Sequence, residues 1–240
     1  MNLDFQNNQF VNVNSIPVSA KYDNRLKTGL DELDAIFGDG IVPGTVLTLT
    51  GTPGCGKTTF LLQLVSLLHA AGYRTAYASG EEAIDVLANT CRRLNVSNIL
   101  ISNETNIDTL VKATEYTDVL IVDSFTSLVS DCVNSRAHEI YCVTELCKAA
   151  KRNNCVIGIV LHISKSGKYK GSTIIPHSVD VSIALTRQLD VPEDGYSLIN
   201  IDVTKNRFGA LTKNVGVVTS SGYKWESPPV EVEDEVYYGY

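Results

Sequence analysis

The segment Gly51-Thr52-Pro53-Gly54-Cys55-Gly56-Lys57-Thr58 has the residue types of a phosphate-binding loop. A polyphosphate is held by backbone N–H donors at a helix N-terminus, and glycines let the chain wrap closely around it through backbone angles other residues avoid. Gly51, Gly54 and Gly56 supply that freedom. Lys57 is placed to reach the outer phosphates and the Thr58 hydroxyl to ligate Mg²⁺, with Thr59 completing the set. The ligands this pattern implies are ATP and Mg²⁺.

Magnesium also calls for a carboxylate at the C-terminal end of a neighbouring apolar strand, and Asp118-Val119-Leu120-Ile121-Val122-Asp123 provides one in Asp123. Ser124 beside it reads as a supporting residue. Hydrolysis needs a group to orient or deprotonate the attacking water. Ser79-Gly80-Glu81-Glu82 follows an apolar strand at the edge where ligands bind in such sheets, and Glu81 is the candidate. The alternative for this acidic pair is a charge favoured by the dipole of the next helix, a part Glu82 could play alone.

The elements that must position these groups alternate. Apolar strands are expected at residues 46–50, 75–78, 98–101, 119–122 and 156–161. Helical spacing marks 30–37, 58–70, 83–94 and 139–152. This is the pattern of an α/β fold with a mainly parallel sheet covered by helices. Beyond residue 180, alternating strands at 181–186, 198–204 and 215–219 read as antiparallel additions at the C-terminal edge. Residues 1–20 read as a loose Asn-rich arm, 21–225 as the ATPase domain and 226–240 as an acidic, tyrosine-bearing tail that solubilises or contacts a partner.

Composition bounds the rest. At 240 residues and 44% hydrophobic content, the chain fits one globular domain of ordinary make-up. Its apolar runs are too short to span a bilayer and its N-terminus does not read as a secretory signal, so a cytoplasmic location is expected. The six cysteines include no Cys-x-x-Cys pair, which points to reduced thiols. A net charge of −7 excludes a uniformly basic nucleic-acid coat but leaves room for a local basic patch.

Over residues 24–222 the chain resembles the RecA-like ATPase core of the bacterial RadA/Sms repair family. The resemblance is carried by Arg25-Leu26-Lys27-Thr28-Gly29-Leu30-Asp31-Glu32-Leu33-Asp34 with Gly40-Ile41-Val42-Pro43-Gly44, by Ser79 to Glu82, and by Val122-Asp123-Ser124. Lys205-Asn206-Arg207-Phe208-Gly209 matches the family's signature motif in full. The resemblance implies a RecA-like fold and a ring or filament of identical subunits. In it Lys205 and Arg207 reach the nucleotide of the adjacent subunit, Arg207 acting on γ-phosphate charge. Leu161-His162-Ile163-Ser164-Lys165 is similar to the family's Gly-His-Val-Thr-Lys segment, which makes His162 a γ-phosphate sensor. The loop beyond occupies the place of the family's DNA-binding loop, so Lys165, Lys168, Tyr169 and Lys170 are candidate contacts to single-stranded DNA, with Arg136 a further one. His177-Ser178-Val179-Asp180 fits the family's turn into the next strand, where a structural role is expected. The matched stretch includes neither the family's zinc module nor its Lon-protease-like domain, and activities that depend on those parts are not expected.

Two functions follow. One is a DNA-stimulated ATPase motor or recombination and repair factor with shared intersubunit sites. The other is a nucleotide-switched scaffold or loader with slow turnover, its arm and tail holding a replication or repair protein. A KaiC-like signalling ATPase also shares the double glutamate, but Lys205 to Gly209 favours the repair family. A small-molecule kinase would leave the basic loop idle and lacks an evident acceptor lid.

Overall fold

The computed structural model describes residues 11–131, 137–162, 174–188 and 195–225. Helix α1 (Asp31–Ile36) precedes strand β1 (Val46–Gly51), which runs through the glycine-rich loop into α2 (Lys57–Ala70). The alternation continues through β2 (Thr75–Ser79), α3 (Ile84–Arg93), β3 (Leu100–Ser102), α4 (Ile107–Ala113) and β4 (Val119–Asp123). It then passes through α5 (His138–Asn153), β5 (Val156–His162), α6 (Ile174–Ser178) and β6 (Val181–Arg187). Three strands close the sheet: β7 (Ser197–Asn206), β8 (Lys213–Thr219) and β9 (Gly222–Lys224).

The nine strands lie in the order β3-β2-β4-β5-β1-β6-β7-β8-β9. The first six in that order are parallel, and β7 to β9 join antiparallel at one side, which is the expected RecA-like α/β architecture. Strands β4 and β5 are buried on both faces because helices cover each side, and their sequences are accordingly continuous in apolar residues rather than alternating. Helices α1, α2 and α3 pack on one face with Leu47, Leu49 and Ile183, and α4, α5 and α6 on the other with Val46, Ile157 and Ile159. In α2, Phe60, Leu61, Leu64 and Leu68 are fully withdrawn from water, each contributing about 1.5–3 kcal/mol of burial energy.

Local chemistry sets the ends of these elements. The Asn106 side chain accepts the backbone N–H groups of Asp108 and Thr109 and so caps α4. Helix α5 stops at Asn154, which turns left-handed (φ 52°), after Lys151 and Arg152 have placed positive charge at the negative end of the helix dipole.

Helices α4 and α6 and strand β9 add to the elements expected from sequence, being too short for periodicity to mark them. Strand β3 starts two residues later than the apolar run at 98–101 and ends one later, because Asn98 takes a positive φ of 62° that breaks an extended run. Strand β7 reaches Asn206 because its ladder with β6 continues past a register shift at Ser182 and Ile183.

The end of the sheet remote from the glycine-rich loop is tied by one buried carboxylate. Asp180 Oδ2 accepts the N–H of Val46 at 3.0 Å, and Oδ1 pairs with Arg207 Nη1 at 2.7 Å. Arg25 adds a second tie, donating to the carbonyls of Gly38 (2.6 Å) and Phe208 (3.0 Å). Asp180→Ala strands the buried Val46 N–H and should lower stability by about 2–3 kcal/mol, read as an earlier midpoint in urea unfolding; an unchanged midpoint would show that Asp180 does not anchor this end.

Candidate active site

Register alone assembles the site. Gly51 stands opposite His162 on β5, and Ser79 stands opposite Asp123 on β4. The C-terminal ends of β1, β5, β4 and β2 therefore deliver the glycine-rich loop, His162, Asp123 and Glu81 to one edge of the sheet, where open α/β sheets bind ligands. A cleft of about 370 Å³ opens there, lined by Pro53, Gly54, Gly56, Lys57, Thr58, Thr59, Glu81, Glu82, Asp123 and His162.

The loop is shaped by its glycines. Gly54 and Gly56 take φ of 78° and 85°, and Gly56 leads directly into α2, so the first N–H groups of that helix face the cleft edge without a side-chain cap. The Lys57 ammonium lies along the loop and donates to the carbonyls of Gly51 (2.9 Å) and Thr52 (3.2 Å). Cys55 is buried, and burial raises its thiol above the ordinary value, so it packs rather than reacts.

The loop rests on strand β9. The Tyr223 hydroxyl donates to the carbonyl of Cys55 at 3.4 Å, its ring stacks on Trp225 (5.3 Å, 15°), and it meets Phe60 edge-on (5.5 Å, 84°). Gln63 of α2 exchanges two hydrogen bonds with the Tyr223 backbone, accepting its N–H at 2.7 Å and donating to its carbonyl at 3.3 Å. Sequence reasoning passed over Tyr223 because a three-residue strand carries no pattern.

The acidic side of the cleft is a linked network. Asp123 Oδ2 accepts the Thr58 hydroxyl at 3.3 Å and the Tyr77 hydroxyl at 2.5 Å. Burial raises the Asp123 carboxyl above its usual range, although Tyr77 pulls the other way. Glu81 Oε1 accepts the Ser124 hydroxyl and lies 2.8 Å from His162 Nε2; Ser124 is in turn linked to Thr126. One ligand atom from each of Glu81, Asp123 and His162 lies within 4.8 Å of the others. Glu82 lies outside α3, whose first-turn acid is Asp85, and instead faces the cleft. Burial, followed by the charges of Asp123 and Glu81, raises its carboxyl.

The structure thus brings together Lys57, Thr58, Glu81, Asp123 and His162. It holds Lys205 and Arg207 apart from them. Lys205 donates to the carbonyls of Pro176 (2.8 Å) and His177 (3.1 Å), and Arg207 to Asp180, so the two share one face, as their spacing predicts. That face is at the start of β6, where Val181 pairs with Leu47, whereas Gly51 pairs with Leu185. Roughly 13 Å of strand separates the motif from its own loop. Lys165, Lys168, Tyr169 and Lys170, and likewise Arg136, lie outside the described residues.

Strand order, glycine-rich loop and the carboxylate at the end of a neighbouring strand define a P-loop ATPase core of the RecA fold. A solved structure titled "ATPase Domain of G40P" has the same fold, with a TM-score of 0.70 over 82% of this chain and 90% of that one at 14% identity. Residues 26–109 match the family described as "ATPase: KaiC". Within this class the chain carries a RadA-like ATPase core. It is 30% identical over 208 residues to DNA repair protein RadA of Listeria monocytogenes, covering 83% of this chain and 44% of that protein. The RadA of Pseudomonas aeruginosa is 32% identical over 222 residues, covering 88% and 48%, and that of Escherichia coli 31% over 214 residues, covering 85% and 45%. The chain spans somewhat less than half the length of these curated relatives.

Gly56 and Gly54 allow the loop's support to be tested. A Cβ on either incurs the left-handed penalty of about 1–2 kcal/mol, but only at Gly56 would it sit 3.1 Å from the Tyr223 hydroxyl. Gly56→Ala should therefore melt at a lower temperature than Gly54→Ala, which meets nothing within 4 Å. Equal melting temperatures in thermal unfolding would mean that Tyr223 does not buttress the loop.

Proposed function

We propose that this chain hydrolyses ATP as an oligomer, at sites completed between neighbouring subunits, and that it acts on single-stranded DNA in repair. The observation that carries the ATPase reading is the convergence of Lys57, Thr58, Glu81, Asp123 and His162 on one cleft at the N-terminus of α2. In this reading residues 21–225 are the working ATPase domain, with 1–20 an arm and 226–240 a tail.

The donors suit Mg²⁺, since a hydroxyl and a carboxylate already in contact offer the hard oxygen ligands it prefers. Thr58 and Asp123 would hold it, Asp123 directly or through water. When bound, the ion neutralises charge on the phosphate oxygens. The chain's own residues do the rest. Backbone N–H groups of residues 54–59 cradle the phosphates, and the Lys57 ammonium exchanges its carbonyl partners for phosphate oxygens. Glu81 accepts a proton from the attacking water, and Ser124 and His162 orient its carboxylate through Oε1. His162 stands at the end of β5 and so senses the outermost phosphate.

The intersubunit part of the reading is supported by the position of Lys205 and Arg207, which face away from their own cleft. Arg207 is about half exposed at its side chain, so a second copy can reach it while Asp180 holds it in place. DNA as the substrate is supported by the similarity to proteins named for DNA repair and by the basic segment holding Lys165, Lys168, Tyr169 and Lys170.

ATP turnover and oligomer size are to be measured with and without single-stranded DNA. Glu81→Gln and Arg207→Ala should each lose at least about 10²-fold in turnover while still binding nucleotide. Mixing the two inactive variants should restore part of the activity, because an intact Glu81 and an intact Arg207 then meet across some interfaces. Mixtures as inactive as their components would rule out the shared site, and turnover indifferent to DNA would rule out the DNA-stimulated reading.

A further inference from the structure

Tyr77 is the largest side chain in the core with almost no exposure, at 1%, yet its hydroxyl is not spent on the backbone. It donates at 2.5 Å to Asp123 Oδ2, the same oxygen that accepts the Thr58 hydroxyl at 3.3 Å. We infer that Tyr77 is a positioning residue of this site: its hydroxyl fixes the Asp123 carboxylate, and through it the Thr58 hydroxyl, in the orientation that metal binding needs. The inference rests on the nucleotide reading above.

A single proton decides the arrangement. A threonine hydroxyl has one O–H and two acceptor lone pairs, so Thr58 can offer a lone pair to a cation while its proton points at Asp123. That requires the accepting oxygen to stay in place. A carboxylate turns easily about its last torsion and would otherwise present either oxygen. Tyr77 removes that freedom because its ring is locked among buried residues of the sheet face that packs α2. The same strand, β2, continues into Glu81, and Gly80 N–H donates to the carbonyl of Asp123 at 2.7 Å. Side chain and backbone of β2 thus both grip Asp123.

An apolar residue of similar bulk would fill the core equally well, so packing alone gives no reason for the hydroxyl.

The test is the metal dependence of nucleotide binding, followed with a fluorescent ATP analogue titrated with Mg²⁺ or Mn²⁺, and with Mn²⁺ bound directly by electron paramagnetic resonance. Tyr77→Phe keeps the ring and removes the donor, and Tyr77→Met fills the space in a second way should the first fold poorly. Either variant should need about tenfold more metal for half-saturation while binding nucleotide unchanged in EDTA, the cost typical of losing a group that orients a metal ligand. In an Asp123→Ala background the same change should have little further effect, because the carboxylate it orients is gone. A lower melting temperature with an unmoved metal midpoint would reduce Tyr77 to a structural role and overturn the inference. A wild-type protein whose nucleotide binding ignores metal would instead overturn the reading of the cleft itself.

Discussion

Everything chemical in this chain depends on the pairing of β1 with β5. With Gly51 opposite His162, the glycine-rich loop leaves the sheet at the same level as the strand end that carries the imidazole. A one-residue slip would bring Thr48 and Thr50 onto the face where Leu47 and Leu49 pack, and would break the bonds from the Thr48 hydroxyl to Ser182 and from the Thr50 hydroxyl to the carbonyl of Ile183. The pairing of β2 with β4 repeats the constraint one strand further, setting Ser79 against Asp123. The four strand ends become level because these registers run through β2, β4, β5 and β1 without a shift.

The opposite end of the sheet needs a different device, since no phosphate loop or helix start meets there. A buried carboxylate joins the first N–H of β1 to Arg207, and Arg25 ties the loop after α1 to the segment following β7. Gly38 and Gly209 approach so closely that a Cβ on Gly38 would lie 3.2 Å from the Cα of Gly209. The signature-like segment 205–209 is therefore rigidly seated, and what it presents is set by the fold rather than by a flexible finger.

Much of this was legible in the sequence where the cause is local. The loop from Gly51 to Thr58 is contiguous, and its chemistry follows from residue type alone. Asp123 could be found because both faces of β4 are buried, which leaves an unbroken apolar run with a charge at its end. Tyr77 could not, because an aromatic in a strand is read as core, and only the pairing of β2 with β4 reveals that its hydroxyl meets Asp123. Tyr223 was hidden for a related reason: a contact between β9 and α2 spans 160 residues of chain, from Gln63 to Tyr223, and nothing near either residue announces it. The partnership of Ser124 with Glu81 is likewise a product of register, although each residue was noticed for its place beside a strand end.

Charge gives a reason for the arrangement of these parts. The cleft is lined by three carboxylates, Glu81, Glu82 and Asp123, against the single ammonium of Lys57 and an imidazole. The start of α2 adds about half a positive charge through its unpaired N–H groups. A triphosphate carries more negative charge than these and one divalent ion offset, and charge shifts further as the terminal bond breaks. In the proposed reading, cations aimed at the cleft from a neighbouring copy stabilise it. Among the described residues lining the cleft there is no second lysine or arginine. Lys205 and Arg207 share the single carboxylate of Asp180, and burial, followed by the charge of Arg207, lowers the Lys205 ammonium. In the proposed assembly the end of one copy that carries Lys205 and Arg207 meets the cleft of the next and brings it the positive charge that its own lining lacks.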